Sequence, residues 1–286
     1  MTPNLTKIIS TAFEEDLPRG DVTTDSLRLP KTEGSARLLA KEDLVLAGRD
    51  VFAECVAHIE PEAQISWQFK DGELVLGGQT AAWIKGNLVG LLKAERVALN
   101  FLGRLSGIAT LTRCFVQETR GTKCQILDTR KTTPLWRSLE KMAVKCGGGV
   151  NHRMNLSDAI LIKENHIRAA RGLTEAVQRI RKNFSGPIEV ECATLEEVEK
   201  AVQLQVNRIL LDNMTNDQIR QARERIPTLI QVEASGNMKL ERIRSVAELG
   251  VDFISVGALT HSAPVADFSL LFEWPETNSP ATGENA

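Results

Sequence analysis

Missing from this chain is any excess of positive charge. Its 286 residues carry 35 Lys+Arg against 37 Asp+Glu, a formal net charge of −2, with a pI near 6.2. That balance excludes a general nucleic-acid binder, which needs a basic face. No CxxC pair is present either. The cysteines (Cys55, Cys114, Cys124, Cys146 and Cys192) are odd in number and scattered, as expected of reduced, mostly buried thiols in a cytosolic protein. The histidines (His58, His152, His166 and His261) lack ligand spacing, so nothing supports a zinc site. No apolar run approaches the roughly 20 residues a membrane helix needs. The N-terminus is amphipathic and acidic rather than basic then apolar, so no signal peptide is expected. These exclusions leave a cytoplasmic protein with enough chain for one large domain or two modest ones.

What is present begins with a helix. Leu5, Ile8, Ile9, Ala12 and Phe13 fall at helical spacing, and Thr2 or Asn4 offers an N-cap. The segment EEDLPRGDVTTDSL is rich in turn formers and reads as a loop. A strand-like pattern from Ala36 to Gly48 precedes a helix from Asp50 to His58. Strands Ile65–Phe69 and Leu74–Leu76 flank an Asp71–Gly72 turn, and Thr80–Ile84 is a further strand ending at a Gly86–Asn87 turn. Leu91 to Glu118 is helical throughout, but Gly103 and Gly107 interrupt it at about 1 kcal/mol each relative to alanine. A break or bend near Ser106–Gly107 is therefore expected, where one domain over residues 1–107 hands over to the next over 108–264.

After Gly121 the rhythm is regular. Apolar runs at Gln125–Leu127, Ala159–Ile162, Ile188–Val190, Arg208–Leu211, Leu229–Val232 and Phe253–Val256 read as strands. Helical stretches at Leu135–Lys145, Thr174–Lys182, Leu195–Leu204, Thr215–Arg225 and Lys239–Leu249 separate them. The last four strands recur about every 21 residues, close to the smallest βα unit, which implies parallel strands with right-handed crossovers. The tail, residues 276–286, is polar and is expected to be disordered.

The chemistry collects where these runs stop. Arg130 and Lys131 follow the first, Lys163 the second and Glu191 the third. Asp212 and Asn213 follow the fourth, Glu233, Ser235 and Gly236 the fifth, and Gly257 the sixth. One charge at a strand end is ordinarily a solvated loop residue. Six in succession converge on one mouth if the strands form a barrel. Arg130, Lys131, His152, Arg153 and Lys163 make that mouth mostly cationic, which points to an anionic substrate; internal ion pairs with Asp128, Glu164 and Glu191 are the bland alternative. Glu191 and Asp212, on successive strands, could share one hard cation such as Mg²⁺, or serve as acid, base or counter-ions. Gly147–Gly149, Ser235–Gly236 and Gly257 could bring backbone N–H groups against phosphate, the Ser235–Gly236 turn being the best placed because a helix opens after it.

Together with EEDLPRGDVTTD, AERVALNFLGRLSGIATLT, DTRKTTPLWR, EKMAVKCGGGVNHRMNLSDAILIKENHI, IEVEC, LLDNM, EASGNM and GVDFISVGALTHSAPVADFSL, these residues make the chain resemble the quinolinate phosphoribosyltransferases over nearly its whole length. The resemblance implies an incomplete, TIM-like parallel α/β barrel preceded by an open-faced α+β sandwich domain to which residues 265–275 return. It implies transfer of phosphoribose from phosphoribosyl pyrophosphate to quinolinate with decarboxylation, a step of NAD biosynthesis. By the same token Arg96, Arg130, His152 and Arg153 would meet the quinolinate carboxylates, with Lys131, Thr132 and Lys163 close by. Glu191 and Asp212 would hold Mg²⁺ with phosphoribosyl pyrophosphate, and Ser235, Gly236, Asn237, Ser255 and Gly257 would receive its phosphate. Lys131, Lys163, Glu191 and Asp212 form the implied catalytic set. Arg96 would come from the second subunit of a homodimer or a larger assembly; read by itself it is a solvated helix residue.

Other classes stay open on the residues alone. A strand ending in Lys163 also suits a Schiff-base lyase, although such a lysine wants an apolar pocket. A non-catalytic phosphate-binding protein and a transferase acting on another pyridine or base are the remaining readings.

Overall fold

The computed structural model describes residues 5–274. The candidate caps Thr2 and Asn4 and the tail 276–286 lie outside the described residues. One unit runs up to Ser106 and takes up the chain again from Val265; the other is Gly107–Pro264.

In the first unit, α1 (Leu5–Asp16) buries Ile9 and Phe13. The expected loop after it is partly helical: α2 (Val22–Leu27) forms because the Asp21 carboxylate accepts the N–H groups of Thr23 and Thr24, satisfying donors a helix start leaves open. Next come β1 (Glu33–Ala40), β2 (Leu44–Val45), α3 (Arg49–Ile59), β3 (Gln64–Trp67), β4 (Leu74–Val75) and β5 (Thr80–Asn87). β5 pairs antiparallel with β1 and β3, while β4 pairs with β2. The segments flanking Asp71–Gly72 therefore do not form a hairpin with each other. Gly86 and Asn87 remain in the strand rather than turning, facing Gly34 and Glu33 of β1.

The helix α4 (Leu88–Glu118) is continuous over 31 residues, so the chain passes from one unit to the other at Ser106–Gly107 without a break in the helix. Close packing offsets the glycine penalty. A Cβ on Gly103 would lie 2.8 Å from the Ala266 carbonyl oxygen, and the Ser106 hydroxyl donates to the Ala47 carbonyl while accepting the Ala47 N–H.

The second unit alternates strand and helix: β6 (Gln125–Leu127), α5 (Arg137–Cys146), β7 (Ile160–Ile162), α6 (Glu164–Ala170), α7 (Leu173–Asn183), β8 (Ile188–Cys192), α8 (Leu195–Gln203), β9 (Arg208–Asp212), α9 (Asn216–Arg225), β10 (Gln231–Ser235), α10 (Leu240–Ala247), β11 (Phe253–Ser255) and α11 (Ala258–His261). All pairings are parallel, in the order β6-β11-β10-β9-β8-β7. β6 and β7, the two ends of that order, do not pair with each other, so the barrel is incomplete. Thr194 with Glu197 and Thr215 with Gln218 form capping boxes at α8 and α9, which sets where each strand-end loop gives way to helix.

Several boundaries differ from the sequence reading. α5 starts at Arg137, because Leu135 is exposed with φ of 69°. The short helices α6 and α11 fill stretches to which the sequence reading assigns no element. β10 begins at Gln231 rather than Leu229: a turn from Pro227 to Ile230 leaves Leu229 93% exposed. That shift draws Glu233 inside the strand, where it is fully buried. After the barrel, β12 (Phe268–Glu273) pairs antiparallel with β1, from Ser35 opposite Glu273 to Ala40 opposite Phe268.

Candidate active site

Parallel strands bring their C-terminal ends to one side, and there the second unit holds a pocket of about 760 Å³. Arg130, Lys131, Arg153 and Lys163 line it, facing Glu191 and Asp212. Ser235, Gly236, Asn237, Ser255 and Gly257 complete another part of the wall, and His152 lies in it as well. The strand-end residues picked out in sequence thus share one cavity. Thr132 does not line it; its hydroxyl accepts from Arg137 Nε at 3.0 Å. Arg96, on α4 of the first unit, is exposed and does not line it.

Each cation is fixed differently. Lys131 donates its main-chain N–H to Thr129 Oγ1, and Thr260 Oγ1 donates to the Lys131 carbonyl at 2.7 Å. Gly257 admits the lysine stem: a Cβ there would sit 3.1 Å from Lys131 Cδ. Arg153 donates from its guanidinium to the Ala159 carbonyl at 2.9 Å. Burial and the neighbouring Arg130 push its pKa down, the mark of two guanidinium groups that a bound anion would reconcile. Lys163 leaves β7 with its N–H donated to His166 Nδ1 at 2.9 Å, and its ammonium pairs with Glu191. Asp128, by contrast, pairs with Lys141 and Glu164 with Arg168. Of the three carboxylates offered as internal partners for the cationic cluster, only Glu191 takes that place.

Glu191 is the penultimate residue of β8 and Asp212 the last of β9, which pair in parallel, and both are half-buried. Two half-buried carboxylates on neighbouring strands are oxygen donors of the kind a hard divalent cation takes. The turn Ser235–Gly236–Asn237 bends through positive φ at Gly236 (86°) and Asn237 (49°). A Cβ on Gly236 would fall 2.2 Å from Asn213 Oδ1, so only glycine lets this turn lie against the β9 loop. The triplet Gly147–Gly149 is no such cradle. Its N–H groups donate to Ala143, Lys145 and Val144 carbonyls at the end of α5, and a Cβ on Gly147 would strike Ala109 O and Thr112 Cβ at 2.5 Å. Those glycines serve close packing on α4.

Several residues of the site escaped the sequence reading. Lys239 and His261 also line the pocket; the helix opening at α10 and the position of His261 just past the Gly257 turn were the available signals. Beneath it, Asp128 and Lys141 form an ion pair with both side chains fully buried. Burial pushes the Asp128 carboxyl up and the Lys141 ammonium down, each opposed by the other's charge. Glu189 and Glu233 face His152 from β8 and β10. These three are a cluster able to hold a metal ion, where sequence offered no ligand spacing. Burial, then the charge of Glu189, pushes Glu233 up to about 7. A glutamate in mid-strand carries no mark of this, since only the barrel brings Glu189 and Glu233 together.

The family model for the quinolinate phosphoribosyl transferase N-terminal domain matches residues 21–106, and that for the C-terminal domain matches 108–271. A probable nicotinate-nucleotide pyrophosphorylase (carboxylating) from Synechocystis is 44% identical over 90% of this chain and 88% of its own length. Its counterpart from Bacillus subtilis is 38% identical over 93% and 92%. The solved nicotinate-nucleotide pyrophosphorylase of Ehrlichia chaffeensis superposes with a TM-score of 0.91 at 37% identity, covering 96% of this chain and all (100%) of that one. With both of its domains matched and a cationic pocket at its barrel mouth, the chain belongs to the quinolinate phosphoribosyl transferase family.

Proposed function

We propose that the chain transfers phosphoribose from phosphoribosyl pyrophosphate to quinolinate, releasing pyrophosphate and CO₂ and giving nicotinate mononucleotide, in the cytoplasm. The observation that carries this is the single pocket in which Arg130, Lys131, Arg153 and Lys163 face a pair of carboxylates and a glycine turn. Two anionic reactants need such a division of labour. Arg153 and Arg130 suit the planar carboxylates of quinolinate through bidentate contacts. The Ser235–Gly236–Asn237 turn, with Ser255 and Gly257, suits the 5′-phosphate.

Glu191 and Asp212 would hold Mg²⁺, which supplies charge neutralisation for the pyrophosphate leaving group. Lys131 and Lys163 would stabilise the same developing charge; Lys163, paired with Glu191 here, would be available for that role if Glu191 were a ligand of the metal. The quinolinate nitrogen attacks C1 of the ribose, and the resulting positive ring nitrogen eases loss of the adjacent carboxylate. Holding two polyanions in line is the main task, and positioning of that kind supplies roughly 7–11 kcal/mol. In this reading Arg96 reaches the pocket of a second copy, making the working enzyme a homodimer. A Schiff-base lyase fits less well, because Lys163 is ion-paired and about half exposed (47%) where that chemistry wants an apolar pocket.

The test is an assay of quinolinate loss and nicotinate mononucleotide formation, with and without Mg²⁺. Arg153→Ala should raise the quinolinate KM roughly 10- to 100-fold, the loss of one charge-assisted contact. Unchanged kinetics would remove Arg153 from the substrate site, and absence of product with the wild-type chain would refute the function.

A further inference from the structure

The barrel is open between β6 and β7, the two ends of the strand order, and the segment that carries His152 and Arg153 runs from the edge of one to the start of the other. Val150 bridges Leu127 in parallel, donating its N–H to the Ile126 carbonyl at 2.8 Å and accepting the Asp128 N–H at 3.2 Å. At the far side the Arg153 guanidinium meets the Ala159 carbonyl, one residue before β7. β6 is three residues long. Two main-chain bonds to so short a strand are a slight hold for a segment on which two pocket residues depend.

A buried ion pair strengthens that hold. Asp128 and Lys141 are both fully buried, and each hydrogen-bonds the main chain of the same loop residue. Asp128 Oδ1 accepts the His152 N–H and Lys141 Nζ donates to the His152 carbonyl, both at 2.9 Å. The Asn151 amide, with its nitrogen turned to the pair, donates to Asp128 Oδ2 at 2.7 Å and to the Lys141 carbonyl at 2.9 Å. Stability alone does not account for this arrangement. Desolvating two charges costs about what their attraction returns, so apolar residues of similar size would join α5 to β6 as well or better. Apolar residues could not grip the N–H and the carbonyl of His152. That grip leaves the His152 ring and the Arg153 guanidinium to the pocket, which both residues line. We infer that Asp128 and Lys141 are positioning residues of the substrate site: by clamping the main chain of His152 they set where the His152 and Arg153 side chains stand at the barrel mouth. This deepens the functional reading above and rests on it for the identity of the anion those side chains meet.

Two variants and one measurement on the wild-type chain test it. Lys141→Met should raise the quinolinate KM roughly tenfold. The phosphoribosyl pyrophosphate KM should stay within about threefold, because Lys131 keeps its own anchors at Thr129 and Thr260. Asp128→Leu combined with Lys141→Met strands no charge, so its urea midpoint should rise above that of Lys141→Met, while its quinolinate KM stays raised at least as far. A pair that acted on stability alone predicts the opposite, with KM returning as the midpoint recovers. In wild-type protein labelled with ¹⁵N-histidine, which has four such amides, the His152→Asn difference assigns the His152 amide. That amide should exchange with solvent roughly 100-fold or more slower than in an unstructured chain. A folded double variant with wild-type quinolinate KM, a rise shared equally by both substrates, or a His152 amide exchanging at the unstructured rate would each overturn the inference. If the double variant does not fold, Lys141→Met and the amide decide. If the wild-type chain does not turn over quinolinate, the functional reading falls, and the exchange rate still decides whether the clamp exists.

Discussion

Gly236 and Glu233 sit three residues apart on one strand and its exit loop, and each does something its side chain alone does not announce. Gly236 adopts φ of 86° with Asn213 packed where a Cβ would go. If this turn receives the phosphate, as proposed, Gly236→Ala should weaken phosphoribosyl pyrophosphate binding through about 1–3 kcal/mol of backbone strain, read as a raised KM for that substrate with quinolinate KM little changed. Glu233 is held up to about 7 by burial and the facing Glu189. A carboxyl whose folded value lies above its ordinary 4.5 contributes most while protonated, and that contribution is lost as pH rises through about 7. Glu233→Gln lacks the titration, so its stability relative to wild type should grow between pH 4.5 and 7, by on the order of 1–3 kcal/mol. Urea denaturation at the two ends of that window measures it; a pH-independent difference would mean that Glu233 titrates normally.

At the scale of elements, α5 and β6 are joined by a charge pair rather than by apolar contact alone. Lys141 on α5 and Asp128 just past β6 are both fully buried, and Asp128 in turn accepts the His152 N–H. Lys141→Met keeps the length of the stem but strands a buried carboxylate, which costs about 3–5 kcal/mol. A drop in the urea midpoint without loss of native circular dichroism would register it. The periodicity of α5 was legible, since its apolar residues recur at helical spacing, yet the ion pair was not: Lys141 reads as one more charge on an amphipathic helix until β6 places Asp128 beneath it. The continuity of α4 was hidden for a similar reason. Gly103 looks like a helix breaker until the Ala266 carbonyl is found occupying the space of its missing side chain.

For the whole molecule, the proposed homodimer makes a prediction about which chain supplies Arg96. Arg96 is exposed on α4, and on the proposed reading it serves the pocket of a second copy. Mixing Arg96→Ala chains with Arg130→Ala chains should then recover part of the activity, because one pocket in each mixed dimer retains both arginines. No recovery in an assay after co-refolding would place Arg96 in the service of its own chain.

Local rules were enough for the alternation of strand and helix, the parallel barrel it requires, and the polar ends of its strands, because spacing, turn chemistry and capping act over a few residues. Only the tertiary structure decided that Glu189, Glu233 and His152 meet, that Gly147–Gly149 spend their N–H groups on α5, and that β10 starts two residues later than its apolar run. Those outcomes depend on what lies across the barrel. A side chain's neighbours there come from strands about 20 or more residues away, and burial without water is what turns a glutamate of ordinary sequence context into a buried acid.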